Sequence, residues 1–429
     1  MLCTDNLQNM IYIAESISQF LPKVELVYQA MPIDINAKAQ CFFDTRPLTR
    51  SERKIIKDSI PILEYLDIQF GEKFFKRLVK RFPEYKPYFN ETHLTLLRQP
   101  RSFHHCLLEF ARNIDDLRPM KDFIMKIASK HVARQVSPDQ YRVFGQILIG
   151  VMVDQFPKEF VDEEFVEAWT MAFRILANIL INIEVREYSD KPWYGFKPFK
   201  VTRMQDECVG TKSFFITPVD GSPVPVPKRG QYLCMRWKLP DKQERLREYT
   251  ISEFPKNNEY RITVRYIPGG KVTTYIHQKL AVGDIVQVSP PCGDCYYHSS
   301  KRNMVMLAGG NGVVALAPMI EKGLAEGRKV TFLYSNRSTE TRSFGQFFRD
   351  LKKKYGEQLE VAEYLSRSRV IDPIDKYYRR SLTVEDLDFI KPEDDVYMIG
   401  PRGYMKMIDD YLRGRGVKVT LDYFGPQEV

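Results

Sequence analysis

One histidine in this sequence lies where an imidazole could bind a metal on an apolar surface. The chain of 429 residues contains six histidines, and His131 follows Phe123 by eight residues and Ile127 by four. At helical periodicity these three positions share one face. A neutral imidazole on an apolar helix face is what an axial haem ligand requires. A single histidine on a helix is also compatible with an ordinary surface or core role, so both interpretations stay open at this point.

Two glycine-rich segments and an arginine could bind phosphate groups. Leu307-Ala-Gly309-Gly310-Asn-Gly312 stands between a predicted strand and a predicted helix, where backbone amides can approach a pyrophosphate. Arg247-Glu-Tyr-Thr250 lies on an earlier predicted strand, and Gly269-Gly270-Lys-Val-Thr273 begins a predicted helix. Together they suit the phosphates of a flavin dinucleotide. Each segment alone is equally compatible with a tight turn or an exposed strand.

The first part of the chain has helical periodicity. Residues 1–47 form an N-terminal extension, in which apolar residues at helical spacing over residues 7–21 predict a short amphipathic helix. Five further helices are predicted at about 61–82, 100–113, 120–132, 138–156 and 162–183. Ser137, Pro138 and Gln140 are typical of a capped helix start. The sequence therefore predicts an all-α domain over residues 48–188.

The periodicity changes after a segment rich in turn-forming residues at 189–200. Six short alternating segments between residues 199 and 289 predict an antiparallel β-barrel, which we assign to a domain at 196–300. From residue 301 to 429, strands near 304, 330 and 396 alternate with predicted helices. This alternation is typical of a doubly wound α/β domain. The predicted fold is therefore multi-domain, with all-α, antiparallel β-barrel and doubly wound α/β parts.

Composition and charge exclude several classes of protein. Hydrophobic residues make up 44% and charged residues 28%, which are values of a globular protein. No apolar run reaches the roughly 20 residues of a membrane-spanning helix. The net charge of +9 comes from interspersed residues and predicts no nucleic-acid partner. Seven scattered cysteines and the lack of a signal-like N-terminus predict a cytoplasmic protein.

Taken together, the motifs resemble those of flavohaemoglobins, in which a globin is fused to a flavin and nicotinamide module of the ferredoxin-reductase type. The resemblance covers about residues 48–429. It is carried by the segments Lys126-Ile-Ala-Ser-Lys-His131, Pro138-Asp-Gln-Tyr141, Ala177-Asn-Ile-Leu-Ile-Asn-Ile-Glu184, Gly230-Gln-Tyr232, Arg247-Glu-Tyr-Thr250, Gly269-Gly270, Val282-Gly-Asp284, Gly400-Pro401 and Phe424-Gly-Pro426.

The resemblance implies three cofactors, haem b, FAD and NAD(P)H, and a set of residues for each. At the haem it implies His131 as the iron ligand, with proximal Tyr141 and Glu184, distal Gln99 and Phe75, and pocket residues Phe89 and Phe103. At the flavin it implies Tyr232, Arg247, Tyr249, Thr250, Gly270, Thr273 and Phe424. At the nicotinamide nucleotide it implies Gly310, Gly312, Val313, Gly400 and Pro401.

Four positions depart from the family pattern. Phe75 stands where the family has a distal tyrosine, so a hydroxyl donor to bound oxygen is missing. Val314-Ala315 replaces a Thr-Pro pair, Ile399 replaces a cysteine, and Arg229 replaces a proline. A hydrogen bond to a charge-bearing group is worth about 1.5–3 kcal/mol, which is the expected loss of oxygen-binding free energy at Phe75. Val314 and Ile399 lie near the expected hydride path and bear on nucleotide affinity or turnover.

The resemblance implies a nitric oxide dioxygenase that converts nitric oxide and O2 to nitrate, with electrons passed from NAD(P)H through FAD to haem. Its expected partners are these small molecules, and the chain is expected to be a monomer. The alternatives are a haem and flavin reductase of other acceptors, or a haem-based gas or redox sensor with a weak reductase. Ser335-Asn-Arg337 follows the second α/β strand, where an arginine could favour NADPH or could simply be solvated.

Overall fold

The computed structural model describes residues 42–368 and 372–422. Within them the chain divides into two compact units. The first contains the residues up to Gly195 together with Gln243–Leu246, and the second contains Phe196–Lys242 and the residues from Arg247 onward. The helix predicted over residues 7–21 and the flavin residue Phe424 lie outside the described residues. The domain limits 48–188, 196–300 and 301–429 stay predictions.

The first unit is helical, as predicted. Its α-helices are α1 (Arg50–Asp58), α2 (Ile60–Arg81), α3 (Glu91–Thr95), α4 (Arg98–Arg112), α5 (Lys121–Arg134), α6 (Pro138–Gln155) and α7 (Glu163–Ser189). The sequence did not predict α1 and α3. Helix α1 begins at a capping box, in which Thr49 and Glu52 each accept a hydrogen bond from the other's backbone N–H.

The cap predicted for α6 is confirmed. Ser137 and Gln140 form a reciprocal capping box around Pro138, which is the first helical residue. This cap fixes where α6 starts and therefore where Tyr141, one turn further on, points. Helix α7 carries core residues such as Trp169, whose indole N–H donates to Ser59 Oγ at 3.0 Å. Caps and core together set the register of the helices that carry the site.

Helix α7 also bears on the prediction that the chain has no membrane span. It is the one helix of the described residues whose length and composition would allow it to cross a membrane. Half of its most apolar stretch is buried inside the helical unit, where Trp169 and Ile181 belong to the core. A core helix passes the same test of length and composition, so the absence of a span stays a prediction.

The second unit begins with an antiparallel sheet. Its strands are β1 (Lys197–Cys208), β2 (Thr211–Pro218), β3 (Tyr232–Lys238), β4 (Glu244–Thr250), β5 (Tyr260–Arg265) and β6 (Ile285–Val288). They are ordered β4-β3-β6-β1-β2-β5, and a bridge between Ile251 and Ile262 joins the two ends of this order. The predicted barrel is therefore confirmed. Helix α8 (Lys271–Gln278) follows β5.

The remainder of the second unit is a parallel sheet with helices. Its strands are β7 (Met304–Gly309), β8 (Val330–Asn336), β9 (Leu359–Leu365), β10 (Lys376–Tyr378), β11 (Asp395–Ile399) and β12 (Val419–Leu421), with helices α9 (Val313–Ala325), α10 (Gly345–Tyr355) and α11 (Arg402–Gly414). The order β10-β9-β8-β7-β11-β12 reverses direction between β7 and β11. Ligands of doubly wound sheets bind at this switch point, beyond the carboxyl ends of the strands.

Candidate functional site

The predicted proximal residues meet in the helical unit. His131 lies near the end of α5, Tyr141 in the first turn of α6, and Glu184 in the last third of α7. His131 Nδ1 is 2.8 Å from the Tyr141 hydroxyl and 2.9 Å from Glu184 Oε1, to which the Tyr141 hydroxyl also donates. With Nδ1 engaged in this way, Nε2 is the ring nitrogen available to a metal ion.

Burial makes this network electrostatically strong. The Glu184 side chain is only 3% exposed, whereas that of His131 is 30% exposed. Burial raises the pKa of Glu184, and its hydrogen bonds with His131 and Tyr141 act in the opposite direction and favour the carboxylate. The pKa of Tyr141 is raised well above its usual value, first by burial and then by the neighbouring Glu184 charge. Tyr141 therefore keeps its proton and acts as a donor to Glu184.

A pocket opens beside His131. It has about 580 Å³ of empty space, including the part open to solvent, and is lined by Tyr85, Tyr88, Phe89, Gln99, His131, Arg134, Val136, Gln140, Tyr141 and Phe144. These residues fit a haem, because aromatic and apolar walls surround a single imidazole whose other nitrogen is held by a carboxylate. The pocket thus brings the predicted Phe89, Gln99, His131 and Tyr141 together.

Two predicted haem-site residues, Phe75 and Phe103, do not line this pocket. Phe75 is buried, with 4% of its surface exposed, and packs edge-on against Phe89 with ring centroids 5.0 Å apart. Phe103 lies 5.6 Å from Phe75 and stacks on Phe74. Phe75 and Phe103 are therefore in contact with the aromatic that lines the pocket but are not themselves among its lining residues.

Several residues that line this pocket were not predicted from the sequence. Arg134 follows His131 by three residues on α5, so helical spacing could have placed both on one face. Tyr85 and Tyr88 precede Phe89 in a segment between the predicted helices at 61–82 and 100–113. Their aromatic character was the available signal. Phe144 lies three residues after Tyr141, on the same face of α6.

The predicted flavin residues are spread over three elements of the barrel. Tyr232 begins β3 and is buried, and Arg247, Tyr249 and Thr250 lie in the second half of β4. The Tyr249 ring packs edge-on against Trp237 at 6.3 Å, and burial raises its pKa. Arg247, Tyr249 and Thr250 therefore lie on a strand of the barrel and not in a loop.

Gly270 and Thr273 lie at the start of α8. Gly270 is the residue before the helix, and no side chain caps the helix there. A Cβ at Gly270 would lie 2.6 Å from Thr273 Oγ1, so the glycine is required for this close approach. An uncapped helix start with glycine is a fitting position for a pyrophosphate. The Thr273 hydroxyl itself donates to the Gly270 carbonyl at 3.1 Å.

The predicted nicotinamide residues meet at the switch point of the parallel sheet. Gly310 and Gly312 follow β7, Val313 begins α9, and Gly400-Pro401 follows β11. A Cβ at Gly312 would lie 2.0 Å from the Ile399 carbonyl oxygen, so only glycine allows this turn to approach β11. The Asn311 side-chain oxygen is buried in the turn without a hydrogen-bond partner among the described residues. A bound nucleotide would fit here because it could supply that missing partner.

Three protein-family models match the chain. They are described as globin, over residues 72–180, oxidoreductase FAD-binding domain, over residues 224–297, and oxidoreductase NAD-binding domain, over residues 306–410. The globin match includes His131, Tyr141 and the pocket aromatics. The other two matches include the β4 residues and the switch point.

Proteins of similar length match this chain over most of its sequence. The flavohemoprotein of Candida albicans is 48% identical over 393 residues, which cover 90% of this chain and 99% of the relative. That of Schizosaccharomyces pombe is 37% identical, covering 90% and 93%. A crystal structure of a flavohemoglobin from Malassezia yamatoensis, with bound FAD and heme, has the same fold with a TM-score of 0.79 at 22% identity, covering 88% of this chain and 100% of that one. With these identities over nearly the full length of the relatives, the chain belongs to the flavohemoprotein family.

Proposed function

We propose that this chain is an NAD(P)H-dependent nitric oxide dioxygenase with haem b, FAD and a nicotinamide nucleotide as its cofactors. The observation that carries the proposal is the buried hydrogen-bond network of His131, Tyr141 and Glu184 in a chain of the flavohemoprotein family. A carboxylate on the far imidazole nitrogen increases electron donation to iron and favours oxygen chemistry over simple oxygen storage. The overall reaction combines each nitric oxide with one O2 and one electron to give one nitrate, and each NAD(P)H supplies two electrons.

When bound, haem supplies the iron at which O2 and nitric oxide react, FAD converts a two-electron donor into single electrons, and NAD(P)H supplies hydride. The proximal residues have the task of fixing the imidazole. Glu184 accepts a hydrogen bond from the Nδ1–H of His131 and thereby selects the tautomer in which Nε2 carries no proton. Tyr141 donates to the same carboxylate oxygen and holds it in place. This network orients the imidazole through hydrogen bonds within the helical unit.

On the distal side, an apolar wall and one amide replace the usual hydroxyl. Phe75 packs against the pocket residue Phe89 and has no hydroxyl that could donate a hydrogen bond, and Phe103 packs against Phe75 in the same aromatic cluster. Gln99 lines the pocket and carries an amide that can donate to a polar ligand. We assign Gln99 the role of orienting oxygen, and we expect this orientation to be weaker than with a second donor.

For the reductase we propose the residues that the family pattern implies. Tyr232, Arg247, Tyr249, Thr250, Gly270, Thr273 and Phe424 would hold FAD, and Gly310, Gly312, Val313, Gly400 and Pro401 would hold the nicotinamide nucleotide. Domain limits of 48–188, 196–300 and 301–429, a monomeric state and a cytoplasmic location complete the proposal.

The test is nitric oxide consumption by the haem- and FAD-loaded protein in air-saturated buffer with NADPH or NADH, with nitrate measured as the product. We expect two nitrates for each nucleotide oxidised, and loss of consumption in His131→Ala. His298→Ala, which removes a histidine of the second unit that packs on Tyr296, is the matched control. Reduced haem that consumes no nitric oxide, or yields a product other than nitrate, would contradict the proposal.

The buried Phe75 favours a second candidate, a reductase of other acceptors, such as peroxides or metal ions, or a haem-based sensor with a weak reductase. Without the distal hydroxyl, oxygen is held less tightly, and other reactions compete better. Val314 and Ile399, both buried beside the switch point, are the positions at which nucleotide turnover would be weakened. A sensor would bind gases at haem while oxidising NAD(P)H negligibly, whereas a dioxygenase oxidises NAD(P)H continuously in the presence of nitric oxide.

A further inference from the structure

Helix α7 is more apolar than a helix with one face in water normally is. Between Glu167 and Glu184 it carries a single charged residue, Arg174. A helix that faces water on one side has charged or polar residues along that side, whereas a helix that is apolar all round is covered all round. Only half of the most apolar stretch of α7 is buried in the structure described. The outer face of α7 is therefore an apolar surface that is only partly covered.

An open groove lies on this outer face. It has about 1070 Å³ of empty space, including the part open to solvent, and lies between the end of α6 and the first half of α7. Its walls include four apolar side chains and one guanidinium, those of Val153, Val161, Val166, Met171 and Arg174. Val153 is 41% exposed, and the other four are half-buried. The lining residues of α7 extend from Glu163 to Arg174, which is about 17 Å along the helix axis.

The first residues of the described structure lie against the same face of α7. The Phe43 N–H donates to Asn178 Oδ1 at 3.1 Å, and Asn178 Nδ2 donates to the Phe43 carbonyl at 3.0 Å. Arg46 pairs with Glu167, which lines the groove, at 2.8 Å. Glu167, Arg174 and Asn178 are spaced by seven and four residues, so they form one row along the helix. Phe43 therefore lies where this row continues beyond the groove.

Residues 7–21 have the length and the apolar pattern that this groove requires. Apolar residues at helical spacing predict an amphipathic helix there, with a stripe formed by Leu7, Met10, Ala14, Ile17 and Leu21. A helix over these residues would be about 22 Å long, close to the length of the groove. Residues 22–41 can span about 65 Å when extended, which is several times the distance from Phe43 back along α7. The connection to the described structure is therefore long enough.

Charge also favours this segment as the occupant of the groove. Glu15 is the only charged residue among residues 7–21, and its position next to Ala14 places it at the edge of the predicted stripe. Within residues 42–368 and 372–422, the Arg174 guanidinium has no hydrogen bond or ion pair. A half-buried cation in an apolar groove is unfavourable until a carboxylate pairs with it. The acidic Glu167 of the same groove is already paired with Arg46.

We propose that residues 7–21 bind as an amphipathic helix in the groove between α6 and α7 of the same chain, with the apolar stripe on Val161, Val166 and Met171 and with Glu15 paired to Arg174. The inference does not depend on the proposed function, because it concerns only the helical unit. It gives the outer face of α7 a partner and the N-terminal extension a role in covering it.

Hydrogen–deuterium exchange of the full chain, loaded with haem and FAD, tests the proposal directly. A free helix of this length is marginal in water, so residues 7–21 would exchange at the rate of an unstructured peptide if they were unbound. We expect their backbone amides to exchange about 10- to 1000-fold more slowly, because several apolar side chains leave water together on binding. Exchange of residues 7–21 at the unstructured rate would overturn the proposal.

Charge reversal shows whether the groove is the binding site. Arg174→Glu should speed the exchange of residues 7–21 by about 5- to 10-fold, and adding Glu15→Arg to the same chain should reverse this change. Lys353→Glu is the matched control, because it alters the net charge equally at an exposed position of α10 in the second unit. We expect no change of exchange in the control. Equal acceleration by Lys353→Glu would show an effect of net charge and contradict the pairing.

A variant of the extension tests the contact without altering any groove residue. Ile17→Asp places a charge on the apolar stripe and should return residues 7–21 to the unstructured rate of exchange. The haem content and the temperature of thermal unfolding show whether the helical unit of each variant is folded. If slow exchange survives both Ile17→Asp and Arg174→Glu in folded proteins, residues 7–21 do not bind in this groove.

Dilution distinguishes binding within one chain from binding between two chains. Slow exchange that arises within one chain is independent of protein concentration, which is the result we expect. Slow exchange that appears only at high concentration, together with dimers in sedimentation velocity, would mean that a second copy of the chain occupies the groove. That result would contradict the proposal.

Discussion

Replacing Glu184 with glutamine should raise the reduction potential of the haem bound at His131. The glutamine oxygen can still accept the proton on His131 Nδ1, at the 2.9 Å separation observed for Glu184 Oε1, so the geometry is kept and the negative charge is lost. Hydrogen bonds to charged groups are worth about 1.5–3 kcal/mol and those between neutral groups about 0.5–1.5 kcal/mol. The difference is about 1 kcal/mol, or about 40 mV for a one-electron couple.

The direction of the change in reduction potential follows from the extra positive charge on ferric iron. A carboxylate beside the imidazole stabilises ferric iron more than ferrous iron, so removing its charge favours reduction. Because Glu184 is almost fully buried, solvent screens little of this effect. The assay is an anaerobic spectroelectrochemical titration of the haem bands at fixed pH, with the haem content of each protein determined beforehand.

Glu52→Gln is a matched control in the same helical unit. Glu52 is also a buried carboxylate and also pairs with a cation, Arg46, which in turn contacts Glu167. Glu167 precedes Glu184 by 17 residues on α7, about 25 Å along the helix, so the control charge is remote from the iron ligand. We expect no change of potential in the control. A Glu184→Gln protein with normal haem content and an unchanged or lowered potential would refute the reasoning.

Three further changes have expected outcomes. Phe75→Tyr should slow oxygen dissociation by about 10- to 100-fold, measured by stopped-flow, and unchanged kinetics would argue against its distal assignment. The Arg46 guanidinium holds the pKa of Glu52 at about 2, below its ordinary 4.5, so this pair stabilises the fold above pH 4.5 and the contribution is lost as the pH falls toward 2. Arg46→Leu should therefore cost about 1–2 kcal/mol in urea unfolding at pH 6 and less at pH 3. Gly312→Ala should destabilise the protein and raise the KM for the nucleotide, whereas Gly403→Ala, on α11 where a Cβ meets nothing, should not lower the temperature of thermal unfolding.

Local signals in the sequence were sufficient for much of the fold. The capping residues Ser137 and Gln140 predicted the start of α6, and the structure confirms it. The glycines at 310 and 312 predicted a turn between strand and helix, and the space around Gly312 explains why no larger residue fits. These features depend on neighbours within a few residues, which a sequence displays directly.

Strand β9 depends on an ion pair between distant residues, which the sequence alone does not reveal. Glu360 and Glu363 interrupt its apolar pattern, so the segment was not predicted as a strand. Glu363 is nevertheless fully buried, because Arg342 from an earlier segment pairs with it inside the protein. A buried charge is tolerated only when such a partner is present, and the partner is visible only in three dimensions.

At the haem site, too, only part of the arrangement could be predicted from local spacing. Helical spacing placed His131 on an apolar face, but its partners lie 10 and 53 residues further along the chain. Their meeting was predicted from a family resemblance and not from spacing. The pocket residues Tyr85, Tyr88 and Arg134 were missed because their role depends on how three helices pack together.

Anaerobic mixing of the haem- and FAD-loaded protein with NADPH and with NADH would show whether electrons pass from the nucleotide through FAD to the haem. The flavin and haem absorption bands are followed together after mixing. We expect the flavin band to bleach first and the haem then to become ferrous. If the protein binds haem and FAD but neither nucleotide reduces its flavin, the chain is not an NAD(P)H-dependent dioxygenase.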